Sequence, residues 1–301
     1  MRINRARDTL AKSNIKVGLA GLSGVGKTAV GAKAFTDGDP ESVVICLTET
    51  QGEAVIRLHN PGALIVNVSS YAEAKAFWTM MDTSFRTGFL HQPIPATDGS
   101  FTLEKTGQPF KCSTVVLDTF SDLFRMVRRS VTERDNARQL RKYVEAKGTE
   151  KGFDDPEATS MQAWGIVQDK CYQLLQMFRD LPCNFLCLFS IDEREEEGTT
   201  TYRPFLQGRD LKSSVVGFFN AFGYQYLVPA KEGVKASRQV AFRTGPQFTT
   251  KGLEGLADTE RASFRAWHKQ FNDFTASRHE TTTPVTPAPE GAVTEKEGET
   301  P

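Results

Sequence analysis

The chain has 301 residues, of which 25% are charged and 39% hydrophobic, with 37 basic and 37 acidic side chains. That size suits one large α/β domain with insertions, or one domain with tails. A formal net charge of zero excludes a protein that meets nucleic acid with its whole surface, so any such contact must be a local patch.

In chain order, residues 1–13 form a basic lead without the apolar segment of a secretion signal. "IKVGLAG" (15–21) predicts a buried strand, and "KTAVGAKAF" a helix after a glycine-rich turn. "SVVICLT" (42–48) predicts a second strand and "EAVIRLH" two helical turns. "ALIVNVS" (63–69) predicts a third strand, and "YAEAKAFWTMMDTSF" (71–85) a helix with apolar residues at i,i+4. Residues 88–112 carry turn residues and predict a loop or small hairpin. "STVVLDTF" (113–120) predicts a fourth strand, and 123–160 a long charged helix followed by a polar loop. "MQAWGIVQDKCYQLLQMFRDL" (161–181) predicts an amphipathic helix ended by Pro182, and "NFLCLFSI" (184–191) a fifth strand. Residues 192–208 predict a hairpin, 221–230 and 237–245 two late alternating strands, and 256–271 a final helix starting at Ala257 to Arg261. The Thr-, Pro- and Glu-rich end predicts a disordered tail over 276–301, leaving one domain over 14–275. Continuous apolar strands alternating with helices predict a mostly parallel sheet covered on both faces. No stretch reaches the ~20 apolar residues of a membrane span. Five cysteines without a C-x2-C pair, and four histidines that do not cluster with them, point to a reduced, cytoplasmic protein with no structural metal.

"GLSGVGKT" carries the chemistry. Gly21, Gly26, Lys27 and Thr28 fit G-x-x-x-x-G-K-[ST], so Gly21, Leu22, Ser23, Gly24, Val25, Gly26, Lys27 and Thr28 are the candidate ATP-binding loop. Glycines let backbone N–H groups wrap a phosphate, Lys27 reaches the β- and γ-phosphates, and the Thr28 hydroxyl ligates Mg2+. Asp118 ends the fourth strand, where a carboxylate can hold the same Mg2+ through water. No N-K-x-D guanine reader is present, and the residue after Asp118 is Thr119 rather than Glu. "ICLTETQGE" places acids where a RecA-type ATPase sets its water-polarising Glu, at the end of the strand after the P-loop helix: Glu49 is the first candidate and Glu53 the second, the alternative being two solvated residues of a polar loop.

The phosphate loop, "ETQGE", "VVLDTFSDL", "WGIVQDKCYQLLQMFRDLPCNFLCLFS" and "YRPFLQGRDLKSSVVGFFNAFGYQYLV" occur in the order found in phage-type RecA-like P-loop ATPases, the AAA-domain ATP-binding proteins of phage genomes. The chain resembles that family over about residues 14–252. The resemblance implies a RecA-like fold, ATP and Mg2+ as ligands, assembly into a ring or filament, and work in recombination or on single-stranded DNA in the host cytoplasm. It also implies that Ser190 stands where such proteins set a polar γ-phosphate sensor (a His or Gln elsewhere in the family), and that Lys251 reaches a neighbour's nucleotide.

For DNA itself, Arg134, Arg138 and Arg141 share a helix face at i,i+4,i+7 and could neutralise phosphates. The same spacing equally describes a solvated helix with Glu/Arg pairs. The acidic "DEREEEG" repels a phosphate backbone, and only Tyr202 and Arg203 beyond it suit base or phosphate contact. That acidic hairpin, or the tail, could instead meet a basic protein partner. Two rival classes follow: a nucleotide-gated loader or assembly factor, and a small-molecule kinase, which the lack of an Arg-rich lid disfavours.

Overall fold

The computed structural model describes residues 14–98, 100–150, 159–196, 199–206, 211, 214–230, 235–245 and 247–280. The basic lead, most of the expected polar loop before residue 160, and positions 281–301 of the expected tail lie outside the described residues.

The central sheet is built from β1 (Lys16–Gly21), β2 (Val43–Leu47), β3 (Leu64–Asn67), β6 (Thr114–Asp118), β7 (Asn184–Phe189), β10 (Ala221–Val228), β11 (Ser237–Ala241) and β12 (Thr259–Arg261), in the order β12-β11-β10-β1-β7-β6-β2-β3. From β10 to β3 every pairing is parallel, while β11 and β12 add antiparallel at one edge. This is the mostly parallel α/β arrangement expected, with late antiparallel strands and with the Asp118 strand and its successor between β1 and β2.

Helices cover both faces: α1 (Lys27–Ala32), α2 (Gly52–His59), α3 (Tyr71–Thr87), α4 (Phe120–Lys147), α5 (Met161–Arg179) and α6 (Phe264–Glu280). Alternation along a strand sends successive side chains to opposite faces. Val115 and Leu117 join one core with Phe77, Phe124, Leu174 and Phe178, from α3, α4 and α5. Val116 joins the other core with Val30, Ile56, Phe264 and Trp267, from α1, α2 and α6. Strands buried on both faces must be apolar throughout, which is why "VVICL" and "FLCLF" carry no polar residue. α1 packs closely on β6: a Cβ at Gly31 would lie 2.9 Å from Val116 Cγ1. It also ends at Ala32, sooner than "KTAVGAKAF" suggests, with the buried Asn60 amide donating to Ala32 O at 3.0 Å and so satisfying a terminal carbonyl.

The helix ends follow local chemistry. Ser70 caps α3 by accepting from Glu73 N, and Gly88, with φ 74°, closes it. Thr119 caps α4 by accepting from Asp122 N, and Ser160 caps α5 by accepting from Ala163 N. The segment expected as a loop or small hairpin at 88–112 is the antiparallel pair β4 (Phe89–Pro95) and β5 (Phe101–Pro109), tied to α3 by the Phe85–Phe110 edge contact at 5.1 Å. The fifth strand stops at Phe189, and the chain continues as the β8 (Ile191–Glu196) and β9 (Thr199–Pro204) hairpin.

Two expectations at the C-terminal end need correction. Ala257 to Arg261 do not start the last helix: Thr259–Arg261 pair with β11 as β12, because the open edge of β11 has donors and acceptors to satisfy. α6 begins at Phe264, where Ser263 Oγ accepts from Ala266 N. The helix also runs to Glu280, five residues past 275, so the start of the expected disordered tail is helical.

Candidate nucleotide site

The loop from β1 to α1 turns through two left-handed glycines, Gly24 with φ 78° and Gly26 with φ 94°. An L side chain resists that backbone, so glycine at 24 and 26 is dictated by geometry. The loop is fastened from β10, where Gln225 Nε2 donates to Val25 O at 2.9 Å. Lys27 is 8% exposed, and its Nζ donates to Gly21 O and Leu22 O, both at 2.8 Å. Burial lowers its pKa, and the negative charges of Asp118, Glu49 and Asp122 work against that.

Asp118 closes β6 level with Leu47 of β2 and Leu188 of β7. Its carboxylate accepts a hydrogen bond from Thr28 and sits beside Lys27; burial raises its pKa, and those two neighbours oppose the rise. The sequence-predicted Thr28 and Asp118 are therefore in direct contact. Thr48 braces the strand end, donating from both N and Oγ1 to Asp118 O at 2.8 and 3.0 Å.

Glu49 follows Thr48 and lines the same pocket of about 410 Å3, together with Ser23, Thr28, Asp118 and Ser190. Its pKa is pushed up to about 7, first by a hydrogen bond with Asp122, then by burial and by the charges of Asp122 and Asp118, with Arg125 opposing. Glu53 is not part of this pocket: it pairs with Arg57 at 2.6 Å and bonds Asn67 at 3.5 Å. Of the two acids weighed from the sequence, only Glu49 meets the phosphate loop.

The oxygen donors fit a hard divalent ion. Thr28 hydroxyl and Asp118 carboxylate adjoin, with no sulfur or imidazole between them, and magnesium takes one or two such groups plus phosphate oxygens. Among the described residues no cluster of three or more His, Cys, Asp or Glu could hold a metal by itself. An ion here would be shared with a bound polyphosphate.

Other candidates lie apart. Lys251 Nζ donates to Phe219 O at 2.7 Å and its backbone pairs with Phe222, near the start of β10, whereas the loop's Gly21 is level with Gln225 further along that strand. Arg134, Arg138 and Arg141 project from α4. Arg138 is held by Asp135 at 3.3 Å and Gln162 at 3.4 Å, Arg141 is exposed, and Arg134 faces a groove formed with α3 and α5. Tyr202 is stacked on Tyr224 at 5.4 Å, which folds the acidic hairpin back onto β10.

Sequence reasoning missed Asp122 and Arg238. Asp122 was readable, since T-x-x-D from Thr119 is a capping pattern that turns its carboxylate back toward the strand end. Arg238 carries no local signal: it reaches the loop from β11, more than two hundred residues on, and lines the pocket with Lys27.

A glycine-wrapped lysine loop with a buried carboxylate bonded to its threonine defines a P-loop nucleotide-binding protein. The chain belongs to the AAA domain family, whose model matches residues 13–252, and that family is one of ATP-binding P-loop proteins. No curated protein matches it in sequence. Among solved structures it is similar to the flagellar accessory protein FlaH from Methanocaldococcus jannaschii, at 10% identity over 80% of this chain and 85% of that one, with a TM-score of 0.33. So loose a superposition adds nothing to the topology described above.

Proposed function

We propose that the protein is a Mg2+-dependent ATPase that self-associates, as a ring or filament, and handles single-stranded DNA in phage-type recombination. The Thr28–Asp118 hydrogen bond beside Lys27 carries the ATPase reading. Lys27 exchanges its loop carbonyls for β- and γ-phosphate oxygens, and the loop N–H groups orient the chain of phosphates. Thr28 and Asp118 would hold Mg2+, which supplies charge neutralisation on the leaving diphosphate when bound. Glu49, at the far side of Asp118, orients a water and accepts its proton. The new P–O bond forms as the β–γ bridge breaks, yielding ADP and phosphate.

A cationic groove supports the nucleic-acid reading. Lys75, Arg134 and Lys170 line about 330 Å3 of space with Tyr71 and Phe101, with no carboxylate in the lining. Aromatic faces among cations suit stacked bases and a phosphate backbone. A cleft bearing Arg125 and Arg129 adjoins the groove at Tyr71 and the nucleotide pocket at Glu49, so an occupant could bias the catalytic acid. For self-association, Val55, Leu58 and Leu22 are exposed at or beside the pocket, Leu58 by 77%. Exposed apolar groups around a polar site favour coverage by another surface. The acidic β8–β9 hairpin supports the second reading, a loader that meets a basic protein partner.

ATP hydrolysis with and without single-stranded DNA, for wild type and Lys27→Ala, tests this. DNA stimulation that vanishes in the variant is the expected result. Hydrolysis that ignores DNA, with no DNA binding at low salt, overturns the DNA part. Absence of Mg2+-dependent hydrolysis in the wild type overturns the ATPase part.

A further inference from the structure

Arg238 stands on β11 opposite Leu227 of β10. A Cβ at Gly26 would fall 2.6 Å from Arg238 Nε, 3.0 Å from Cδ and 3.1 Å from Cζ. The guanidinium thus lies against the last glycine of the phosphate loop, in the space a side chain there would take. Apart from Lys27, it is the only Lys or Arg lining that pocket among the described residues. It is exposed and forms no ion pair among the described residues. An unpaired guanidinium in a cleft beside backbone turned for phosphate is an anion-binding group, with planar donors that match two phosphate oxygens at once.

The sheet order says which phosphates it meets. The loop follows β1, and Arg238 arrives from the β10–β11 side, whereas Asp118, Glu49 and Ser190 arrive from β6, β2 and β7 on the other. The hydrolytic groups mark the γ end, so the arginine's side is that of the inner phosphates. His59 lines the same pocket, and its pKa is lowered first by burial and then by the charges of Lys33 and Arg238. We propose that Arg238 is a nucleotide-binding residue supplied from the sheet edge of the same chain, donating to α- and β-phosphate oxygens of a nucleoside di- or triphosphate. Gly26 then has a second role, since any side chain would displace the arginine. The assignment rests on the nucleotide-binding reading above.

Calorimetric titration of wild type, Arg238→Ala and Arg238→Lys with Mg-ADP and Mg-ATP tests it, after thermal unfolding without nucleotide confirms that each variant folds. Arg238→Ala should bind both nucleotides about tenfold or more weakly and to the same degree, as loss of a charge-assisted contact requires, with partial recovery in Arg238→Lys. Unchanged affinity, or a loss confined to ATP, overturns the assignment. If wild type itself binds neither nucleotide, the nucleotide reading falls and this inference with it. If wild type binds and Arg238→Ala binds equally well, only the arginine's role falls.

Discussion

Replacing Asp122 with asparagine should move the acid limb of ATP hydrolysis to lower pH. Glu49 is pushed up to about 7 chiefly by its hydrogen bond with Asp122, then by burial and by the charges of Asp122 and Asp118, against Arg125. A carboxylate acting as base works only when deprotonated, so the wild-type rate is half-maximal near pH 7, approaches its plateau above that and falls as pH drops below it. The Asp122→Asn change removes a negative charge, and the new side-chain amide would donate to the Glu49 carboxylate, which favours the charged form. The limb should then move below pH 7 toward the ordinary glutamate value of ~4.3, without reaching it because burial and Asp118 remain. At about pH 6 only about 9% of wild-type Glu49 is ionised, so the variant's rate relative to its alkaline plateau should rise there, with about tenfold as the ceiling. The cap on α4 should survive, since Thr119 Oγ1 still accepts from the backbone N of residue 122. The assay is steady-state phosphate release across pH at saturating Mg-ATP, with Glu49→Gln as the companion variant. An unmoved limb in Asp122→Asn, or a limb that persists in Glu49→Gln, would refute the assignment of Glu49.

Three further outcomes follow from packing and charge. Trp267 is fully buried, meets Phe242 edge-on at 5.2 Å and donates from Nε1 to Arg261 O at 2.9 Å. Trp267→Ala should therefore cost about 3–5 kcal/mol in denaturant unfolding, and a loss under ~1 kcal/mol would mean that α6 does not close the second core. Gly26→Ala places a Cβ at φ 94° and against Arg238, so about 1–2 kcal/mol of backbone strain should accompany weakened ADP binding; a variant that binds normally would show the loop to be adaptable. Changing Lys75, Arg134 and Lys170 together to Ala should reduce the salt slope of single-strand binding by about 2, at ~0.7 per phosphate contact, and an unchanged slope would remove this groove from the DNA path.

What the sequence could declare depended on how far a signal had to travel. The continuous apolar runs at 43–47 and 184–189 reported burial on two faces, a property of each strand alone. The edge strand β12 escaped because three residues are too few to show a period, and "LADTERASF" carries helix-friendly residues whose fate was settled by the open side of β11. Ser263, the cap that starts α6, was the available clue, since a serine before an apolar run is a common helix start.

The same contrast orders the site. Gly26, Lys27 and Thr28 are adjacent in sequence because one turn must present backbone and side chains to one phosphate group, so spacing alone reveals them. Asp118 and Glu49 sit at comparable positions, Asp118 ending β6 and Glu49 just following β2, two strands on the same side of β1. Arg134, Arg138 and Arg141 form a stripe on paper, yet a helix face becomes a binding surface only through its neighbours. Lys75 and Lys170, from α3 and α5, join Arg134, while Arg138 is taken up by Asp135 and Gln162. Lys251, expected to reach a neighbour's nucleotide, donates within its own chain to the carbonyl of Phe219, away from this chain's phosphate loop. The basic group that does face the loop is Arg238, and only the pairing of β11 with β10 brings it there. Charges that act through tertiary pairing leave no spacing to read, so an electrostatic partner of a local motif has to be sought across the sheet, beyond the strands next to it.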